Sequence, residues 1–378
     1  MYYNSILVSV TEICTVGCSH CGFTGSTRDR QPTAEEIGRW VAQACDSGIP
    51  EIIFTGGEPF QRFRMLKSGV RAAAGHPGKP RICVFTSSFW GRSRAAVDKI
   101  LGQLPGLTRL YLSTDVYHQE RVPAQYVMNV IEGALAREIP EISLCITVAE
   151  DHEEEQIRGM YRRFEDRVRV HVDRVIPTPF IKTAHQVGLP PDPEHFSSSC
   201  YLETPLINPN GDLSACHIGK AGAYVRLSDL AYFLGNLHEK SFQEILADAD
   251  ANYEYQFLRV YGPQGVARMV ASSPAVRKLF GGTTFTNGCD LCYKMLRSLD
   301  GRARLREIAA DPFQRELIDA IRAVRFGELP GASRPASQPV ASQPVGSPAI
   351  SPRPAGPQPA DPRPTGPQPV PQPVRSGM

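Results

Sequence analysis

Six short apolar runs, each feeding into a stretch of different periodicity, constrain this chain most. Ser5–Val10, Glu51–Phe54, Arg81–Thr86, Arg109–Leu112, Glu141–Val148 and Val168–Val175 read as strands. Helical spacing is predicted between them: from Thr33 to about Ser47, over Ser93–Leu104, over Ala124–Arg137 and over Glu153–Glu165. The first of these helices opens on a capping box, Thr33 with Glu36 three residues on. It carries Ile37, Trp40, Val41 and Ala44 on one face and stops at Gly48. Strands alternating with helices argue for βαβ units, a parallel sheet and the α/β class. Six units in about 180 residues are too few for a closed eight-stranded barrel. In such sheets the chemistry gathers at the C-terminal ends of the strands.

Composition bounds the function. A formal net charge of +2 over 378 residues gives no reason to expect a nucleic-acid partner. No run of about eighteen apolar residues is present, so no membrane partner is expected either. The N-terminus lacks a basic segment followed by a long apolar one, so no export signal is predicted. Ten cysteines in such a chain read as metal ligands and small core residues rather than disulfides, and the expected location is the cytoplasm. Cys45, Cys83 and Cys145, inside apolar segments, are expected in the core.

The first strand runs into Cys14-Thr-Val-Gly17-Cys18-Ser-His20-Cys21, a C-x3-C-x2-C spacing. Three thiolates in one tight loop suit a single soft metal centre. Structural sites close with four protein ligands, so three leave a coordination position open for chemistry. A zinc knuckle with His20 as fourth ligand is the alternative. The second strand runs into Thr55-Gly56-Gly57-Glu58-Pro59. Glycines there let backbone approach a ligand closely, Glu58 can accept from an ammonium group, and Pro59 stiffens the exit.

Together these two motifs resemble the radical S-adenosylmethionine (SAM) superfamily. The resemblance implies a partial (β/α)6 barrel in which Cys14, Cys18 and Cys21 hold a [4Fe-4S] cluster whose fourth iron binds SAM. It implies that Gly56, Gly57, Glu58 and Pro59 form the segment that receives the SAM amino group, and that His20 presents a ring to the adenine. Ser87, at the end of the third strand, joins this cofactor-binding set. Ser113 and Asp115 match a segment lying near the SAM ribose and carboxylate, although Val116 stands where that segment has glycine. Helix capping is the alternative for Asp115. Tyr117-His-Gln-Glu-Arg121 reads as a solvated loop at the barrel mouth, with some substrate contacts conceivable.

After the sixth strand, prolines 177, 179, 190, 191 and 193 read as a linker. Asn210-Gly211 between short apolar runs predicts a hairpin with a two-residue type I′ turn, which puts Cys216 on the return strand. Cys200, Cys216, Cys289 and Cys292 resemble the ligand set of the twitch domain, the short relative of the SPASM extension, and that implies one auxiliary [4Fe-4S] cluster. Four thiolates would equally suit structural zinc. The insert between Cys216 and Cys289 contains helix-like Ser241–Ala249 and Pro274–Phe280, and a single helix over Ala303–Arg325 is expected to end the folded part. From about Pro330 the chain is nearly all Pro, Ala, Ser, Gly and Gln, a composition that predicts disorder or polyproline II. The expected division is therefore a barrel over 1–185, an α+β auxiliary-cluster domain over 186–328 and a tail over 329–378.

The resemblance implies reductive SAM cleavage to a 5′-deoxyadenosyl radical that takes hydrogen from an unactivated C–H. The expected substrate is a small polar molecule, sugar-, aminocyclitol- or nucleoside-like, in natural-product biosynthesis. The expected electron donor is a flavodoxin or ferredoxin. Maturation of a ribosomally made peptide is the alternative substrate class. A non-catalytic metal-binding protein is the alternative from outside enzymology, and the Gly-Gly-Glu-Pro segment argues against it.

Overall fold

In the computed structural model, residues 3–21, 31–175, 202, 204–216, 232–280 and 288–328 are described. All lie in one compact unit, Met1–Pro344. The chain runs β1 (Ile6–Ser9), α1 (Ala34–Asp46), β2 (Glu51–Thr55), α2 (Phe63–Gly75), β3 (Arg81–Thr86), α3 (Arg94–Leu101), β4 (Arg109–Ser113), α4 (Val116–Gln119), α5 (Ala124–Ala136), β5 (Glu141–Val148), α6 (Asp151–Tyr161) and β6 (Arg169–Arg174). There follow β7 (Leu206–Ile207), β8 (Asp212–Ser214), β9 (Phe233–Asn236), α7 (Phe242–Ala251), α8 (Tyr253–Val270), α9 (Pro274–Phe280), α10 (Gly288–Arg297), α11 (Leu299–Ala310) and α12 (Pro312–Phe326).

Among the described residues, nine strands form one sheet in the order β6-β5-β4-β3-β2-β1-β7-β8-β9. Pairing is parallel from β6 across to β7 and antiparallel in β7–β8–β9. β6 and β9 are its two edges, so the α/β barrel is partial and open. β1 to β4 are mostly buried along their length, on both faces, whereas the edge strand β6 is polar and largely exposed. On the helix side, Ile6, Val8, Ile52, Phe54, Ile82, Val84, Leu110 and Leu112 join the main core with Ile37, Trp40, Val41 and Leu66. On the inner side, Ile53, Cys83 and Tyr111 form a second small cluster with Leu7, Phe85 and Cys145.

The floor of the barrel, at the N-terminal strand ends, is polar and closed. Arg109 pairs with Glu141 and donates to the Tyr111 hydroxyl at 2.5 Å. Glu51 accepts from Arg81 at 2.8 Å and from the Cys83 thiol at 3.1 Å. Buried charges of this kind persist only when paired. Cys45 and Cys83 are buried, and Cys145 is partly buried on the inner cluster.

The capping box of α1 is formed, with Glu36 N–H donating to Thr33 Oγ1 at 3.1 Å and Thr33 N–H to Glu36 Oε2 at 2.8 Å. α2 lies where no helix was predicted, although Leu66, Val70 and Ala73 have helical spacing and are buried. Gly69 lets α2 sit directly on β2, since a Cβ there would stand 2.4 Å from the Phe54 ring. α8 also lies where no helix was predicted, and Gly262-Pro263 stands in its middle. The helix does kink there, at Gly262 with φ 67°, and resumes.

Three further expectations need correction. The stretch Ala303–Arg325 is two helices, α11 and α12, which meet at Asp311; its carboxylate accepts from Gln314 N–H, and Pro312 starts the next helix. The β7–β8 hairpin has a three-residue loop, Pro209–Gly211, and not a type I′ turn. Pro209 presets a negative φ, Gly211 N–H bonds Asn208 O at 2.9 Å, and Gly211 alone in the loop takes positive φ, 88°. The folded part also runs beyond Arg325. Glu328 is buried and takes a bidentate pair from Arg259 at 2.7 and 2.9 Å. The linker prolines and the Pro-rich tail lie outside the described residues.

Candidate active site

The site grows from the exit of β1. Val10 N–H still bonds Thr55 O at 3.0 Å, and the chain then turns on Thr11. The Thr11 hydroxyl accepts from Ile13 N–H at 3.0 Å and donates to Gln31 Oε1 at 2.9 Å. β2 grips this turn through its backbone: Gly57 N–H donates to Thr11 O at 2.8 Å and Glu58 N–H to Ile13 O at 2.9 Å. A Cβ on Gly56 would lie 2.3 Å from Thr11 O, and one on Gly57 2.4 Å from Ile13 O. The two glycines thus serve close approach to the cysteine loop itself, rather than only to a ligand. Gly17, at φ 65°, bends the loop back.

Cys14, Cys18 and Cys21 are all partly exposed, and Cys21 N–H bonds Cys18 O at 3.1 Å. Burial pushes the Cys18 thiol up to about 12, and the charges of Asp115, Cys21 and Cys14 act in the same direction. Three thiols near enough to oppose one another's ionisation suit a cation that ionises them together. The donor set therefore fits a soft metal centre.

Glu58 does not face outward. Its carboxylate is buried, with Oε2 accepting from Ser87 N–H at 2.8 Å and Ser87 Oγ at 2.6 Å. Oε1 accepts from Thr86 Oγ1 at 2.9 Å and Phe60 N–H at 3.1 Å. Burial raises this carboxyl above its ordinary range, against the pull of those four bonds. Glu58 thus staples the end of β2 to the end of β3. Pro59 starts a short 3-10 turn, and Phe60 beyond it stacks on Trp90 at 4.4 Å. Trp90 Nε1 donates to Thr86 Oγ1 at 3.0 Å. Ser88, next to Ser87, holds φ 66° and a buried hydroxyl with no hydrogen-bond partner among the described residues. A non-glycine residue in that conformation marks strain of the kind found at functional sites.

The third wall is the exit of β4. Ser113 is half-buried at the strand end, and Asp115 caps α4. Both Asp115 oxygens are engaged by His118: Oδ1 by its backbone N–H at 2.9 Å, Oδ2 by its Nδ1 at 2.8 Å. Burial raises the Asp115 carboxyl, but the hydrogen bond and charge of His118, then the charge of His20, outweigh it, and the net shift is downward. His20 Nε2 lies 3.9 Å from Asp115 Oδ2, and its ring is tilted on Tyr117 at 4.7 Å. His20 Nδ1 is buried without a partner among the described residues. His20, Asp115 and His118 bring one ligand-type atom each within 4.8 Å of one another.

The stretch read as a solvated loop is therefore mostly the helical turn α4, with Tyr117 buried. Gln119 Nε2 donates to Thr114 Oγ1 at 3.0 Å and to the Tyr161 hydroxyl at 2.9 Å, which ties the turn to α6. Sequence reasoning missed Thr11, Thr86, Trp90 and the pairing of His118 with Asp115. Only the last had a local signal, Asp followed three residues later by His at a helix start.

Of the second cysteine set, Cys216 follows β8 and Cys292 lies on α10, and both pack against the main core. Cys200 and the side chain of Cys289 lie outside the described residues.

Residues 8–164 match the family model of the Radical SAM superfamily. The GTP 3′,8-cyclase of Synechococcus elongatus is 31% identical over 149 residues, 36% of this chain and 44% of that protein. That of Listeria monocytogenes serotype 4b is 25% identical over 176 residues, 44% of this chain and 51% of that protein. The chain thus spans about half the length of these relatives. Among solved structures, BtrN in complex with AdoMet and 2-DOIA is similar at a TM-score of 0.44 and 11% identity, over 78% of this chain and 92% of that one. Streptococcus suis SuiB bound to S-adenosylmethionine is similar at a TM-score of 0.39 and 14% identity, over 65% of each.

Proposed function

We propose, from the match of residues 8–164 to the Radical SAM superfamily model, that this chain is a radical SAM enzyme acting on a small polar molecule. The observation that carries the reading is the cysteine loop locked by backbone bonds onto Gly57 and Glu58. A [4Fe-4S] cluster with SAM, held there, would supply radical chemistry able to take hydrogen from the substrate. Cys14, Cys18 and Cys21 would hold that cluster. Gly56 and Gly57 keep the loop in place. Glu58 fixes Ser87 and the β3 end, and so acts on the cofactor through its neighbours. His20 would offer its ring to adenine, with Asp115 3.9 Å from its Nε2. Reduced flavodoxin or ferredoxin would deliver the electron. Cys200, Cys216, Cys289 and Cys292 would hold an auxiliary [4Fe-4S] cluster, as electron acceptor or substrate anchor.

The inner face near the barrel mouth favours a small polar substrate. Ser113, Cys145 and His171 stand in register on β4, β5 and β6, and Thr147 pairs with Asp173 one step further on. These groups can hydrogen-bond hydroxyls. The names of the cyclase relatives point the same way, to a nucleotide. The test is anaerobic reconstitution with iron and sulfide, dithionite and SAM, followed by quantification of 5′-deoxyadenosine. About eight irons per chain and 5′-deoxyadenosine formation are expected. Bound zinc without SAM cleavage would overturn the reading.

A further inference from the structure

Asp115 caps α4 with a side chain only 1% exposed, and its Oδ2 lies 2.8 Å from His118 Nδ1. His20, carried by the cysteine loop, approaches the same oxygen with Nε2 at 3.9 Å. That separation is too long for a hydrogen bond. The other ring nitrogen, His20 Nδ1, is buried and has no partner among the described residues. Native proteins rarely leave a buried polar group in that state without a reason. The ring is held beside the carboxylate by packing, with its centroid 4.7 Å from that of Tyr117 and 5.3 Å from that of His118. Helix capping accounts for Asp115 and His118; it leaves His20 unexplained. One ligand-type atom from each of the three lies within 4.8 Å of the others. Nitrogen and oxygen ligands of a single zinc-sized ion stand about 3–3.5 Å apart, given their bond lengths. The separations of 2.8 and 3.9 Å fall on either side of that range, so small side-chain rotations bring the three atoms onto one ion. Two imidazoles and a carboxylate are the donor set of zinc and non-haem ferrous sites that keep positions open. The carboxylate supplies buried negative charge, and the imidazoles, 14% and 15% exposed, leave an ion a way in.

We propose that His20, Asp115 and His118 form a binding site for one divalent transition-metal ion of zinc's class, which ties the cysteine loop to the exit of β4. Without the ion, His118 Nδ1 donates to the Asp115 carboxylate. The ion takes the place of that proton, which passes to Nε2 of the same ring, and no redox step is involved. No cysteine takes part, so the site stands whether or not Cys14, Cys18 and Cys21 hold a cluster.

The test uses the full chain with Cys14, Cys18 and Cys21 changed to Ala, which removes every thiolate of the loop and any cluster on it. Metal-free protein is titrated with Co²⁺ and followed by visible absorbance, and Zn²⁺ is then added to displace the cobalt. Cobalt held by nitrogen and oxygen shows weak visible bands. Cobalt on thiolate adds intense near-ultraviolet bands, so an ion bound to cysteines elsewhere is told apart. The comparison chain is His20→Phe in the same background, which keeps a ring beside Tyr117 and leaves the Asp115–His118 pair intact. About one cobalt per parent chain, bound without thiolate bands, is expected. Affinity should be weaker by at least about tenfold in His20→Phe, because loss of even an outer partner of a ligand costs that much. Zinc should raise the thermal midpoint of the parent and not that of His20→Phe. His118→Gln, which keeps a hydrogen-bond donor for Asp115, should lose binding in the same way, and that arm keeps the test decisive should the Phe variant not fold. Equal cobalt affinity in the parent and the variants, or a parent whose bound cobalt all shows thiolate bands, would overturn the proposal. Neither result bears on SAM cleavage, which is measured with the cysteines of the loop in place.

Discussion

The two cysteine sets are placed in opposite ways. Cys14, Cys18 and Cys21 occupy one loop, held by backbone bonds from Gly57 and Glu58, and Glu58 in turn anchors the end of β3. Cys216 and Cys292 come from a strand end and a helix far apart in the chain. The first site needs only β1 and β2 to pair before its loop is shaped. A site joining Cys216 and Cys292 would need the β7–β9 extension and α10, which packs on α8, brought together. A local site of the first kind tolerates loss of distant packing; a site of the second kind does not.

The largest effect should come from removing the first loop's thiols. Cys14, Cys18 and Cys21 changed together to Ala should abolish 5′-deoxyadenosine formation, because no other group on the chain is expected to place SAM on iron. Cys292→Ala should act differently, with SAM cleavage reduced but persistent and product formation falling much further. Side-by-side quantification of 5′-deoxyadenosine and product decides this. Equal losses of both in the two variants would erase the distinction between the sites.

Next in size is Gly57→Ala. The added methyl would stand 2.4 Å from the Ile13 carbonyl oxygen, a backbone atom that cannot step aside alone. The loop must leave β2, and iron held by Cys14, Cys18 and Cys21 should fall by about tenfold or more. Iron counts on Gly57→Ala in a background lacking Cys292 check this; full occupancy would show that the glycine contact does not hold the loop.

The same contrast explains what was legible in the sequence. The six barrel strands and the capping box of Thr33 and Glu36 were readable because alternation and capping are local signals. So was the cysteine loop. The staple role of Glu58 was not, since its partners Ser87 and Thr86 arrive from another strand. Asp115 reads in the sequence either as lying near the cofactor or as a helix cap; it does cap α4, and the engagement of both its oxygens by His118 comes only with that turn. α8 was hidden by Gly262-Pro263, whose kink is absorbed within a buried helix. Position alone gave no hint of Glu328, whose partner Arg259 lies on α8, a helix the sequence reading had left unassigned.

That ion pair supplies the last prediction, the smallest in its effect on the first site. Glu328 and Arg259 are buried, paired through two bonds, and Arg322 adds a third contact to the same carboxylate at 3.3 Å. Arg259 also lies over the Phe326 ring at 4.2 Å. Truncation after Arg325 removes both Phe326 and Glu328 and leaves Arg259 buried without that counter-charge. Loss of one partner from a buried pair costs about 3–5 kcal/mol. The helix so weakened, α8, is the one against which α10, carrying Cys292, packs. Truncation after Glu328 keeps the pair, and the residues it removes have a composition too poor in large apolar side chains to add to a core. The shorter chain should therefore unfold at a lower denaturant midpoint and lose metal from its second site first, while the first loop still supports SAM cleavage at low temperature. Chemical denaturation of the two truncated chains, with iron counted along the transition, measures this. If both truncations unfold at the same midpoint, the Arg259–Glu328 pair does not hold the second site's platform. If instead the first site's iron is lost as early as the second's, the two sites are not mechanically separable, and the contrast drawn between them fails.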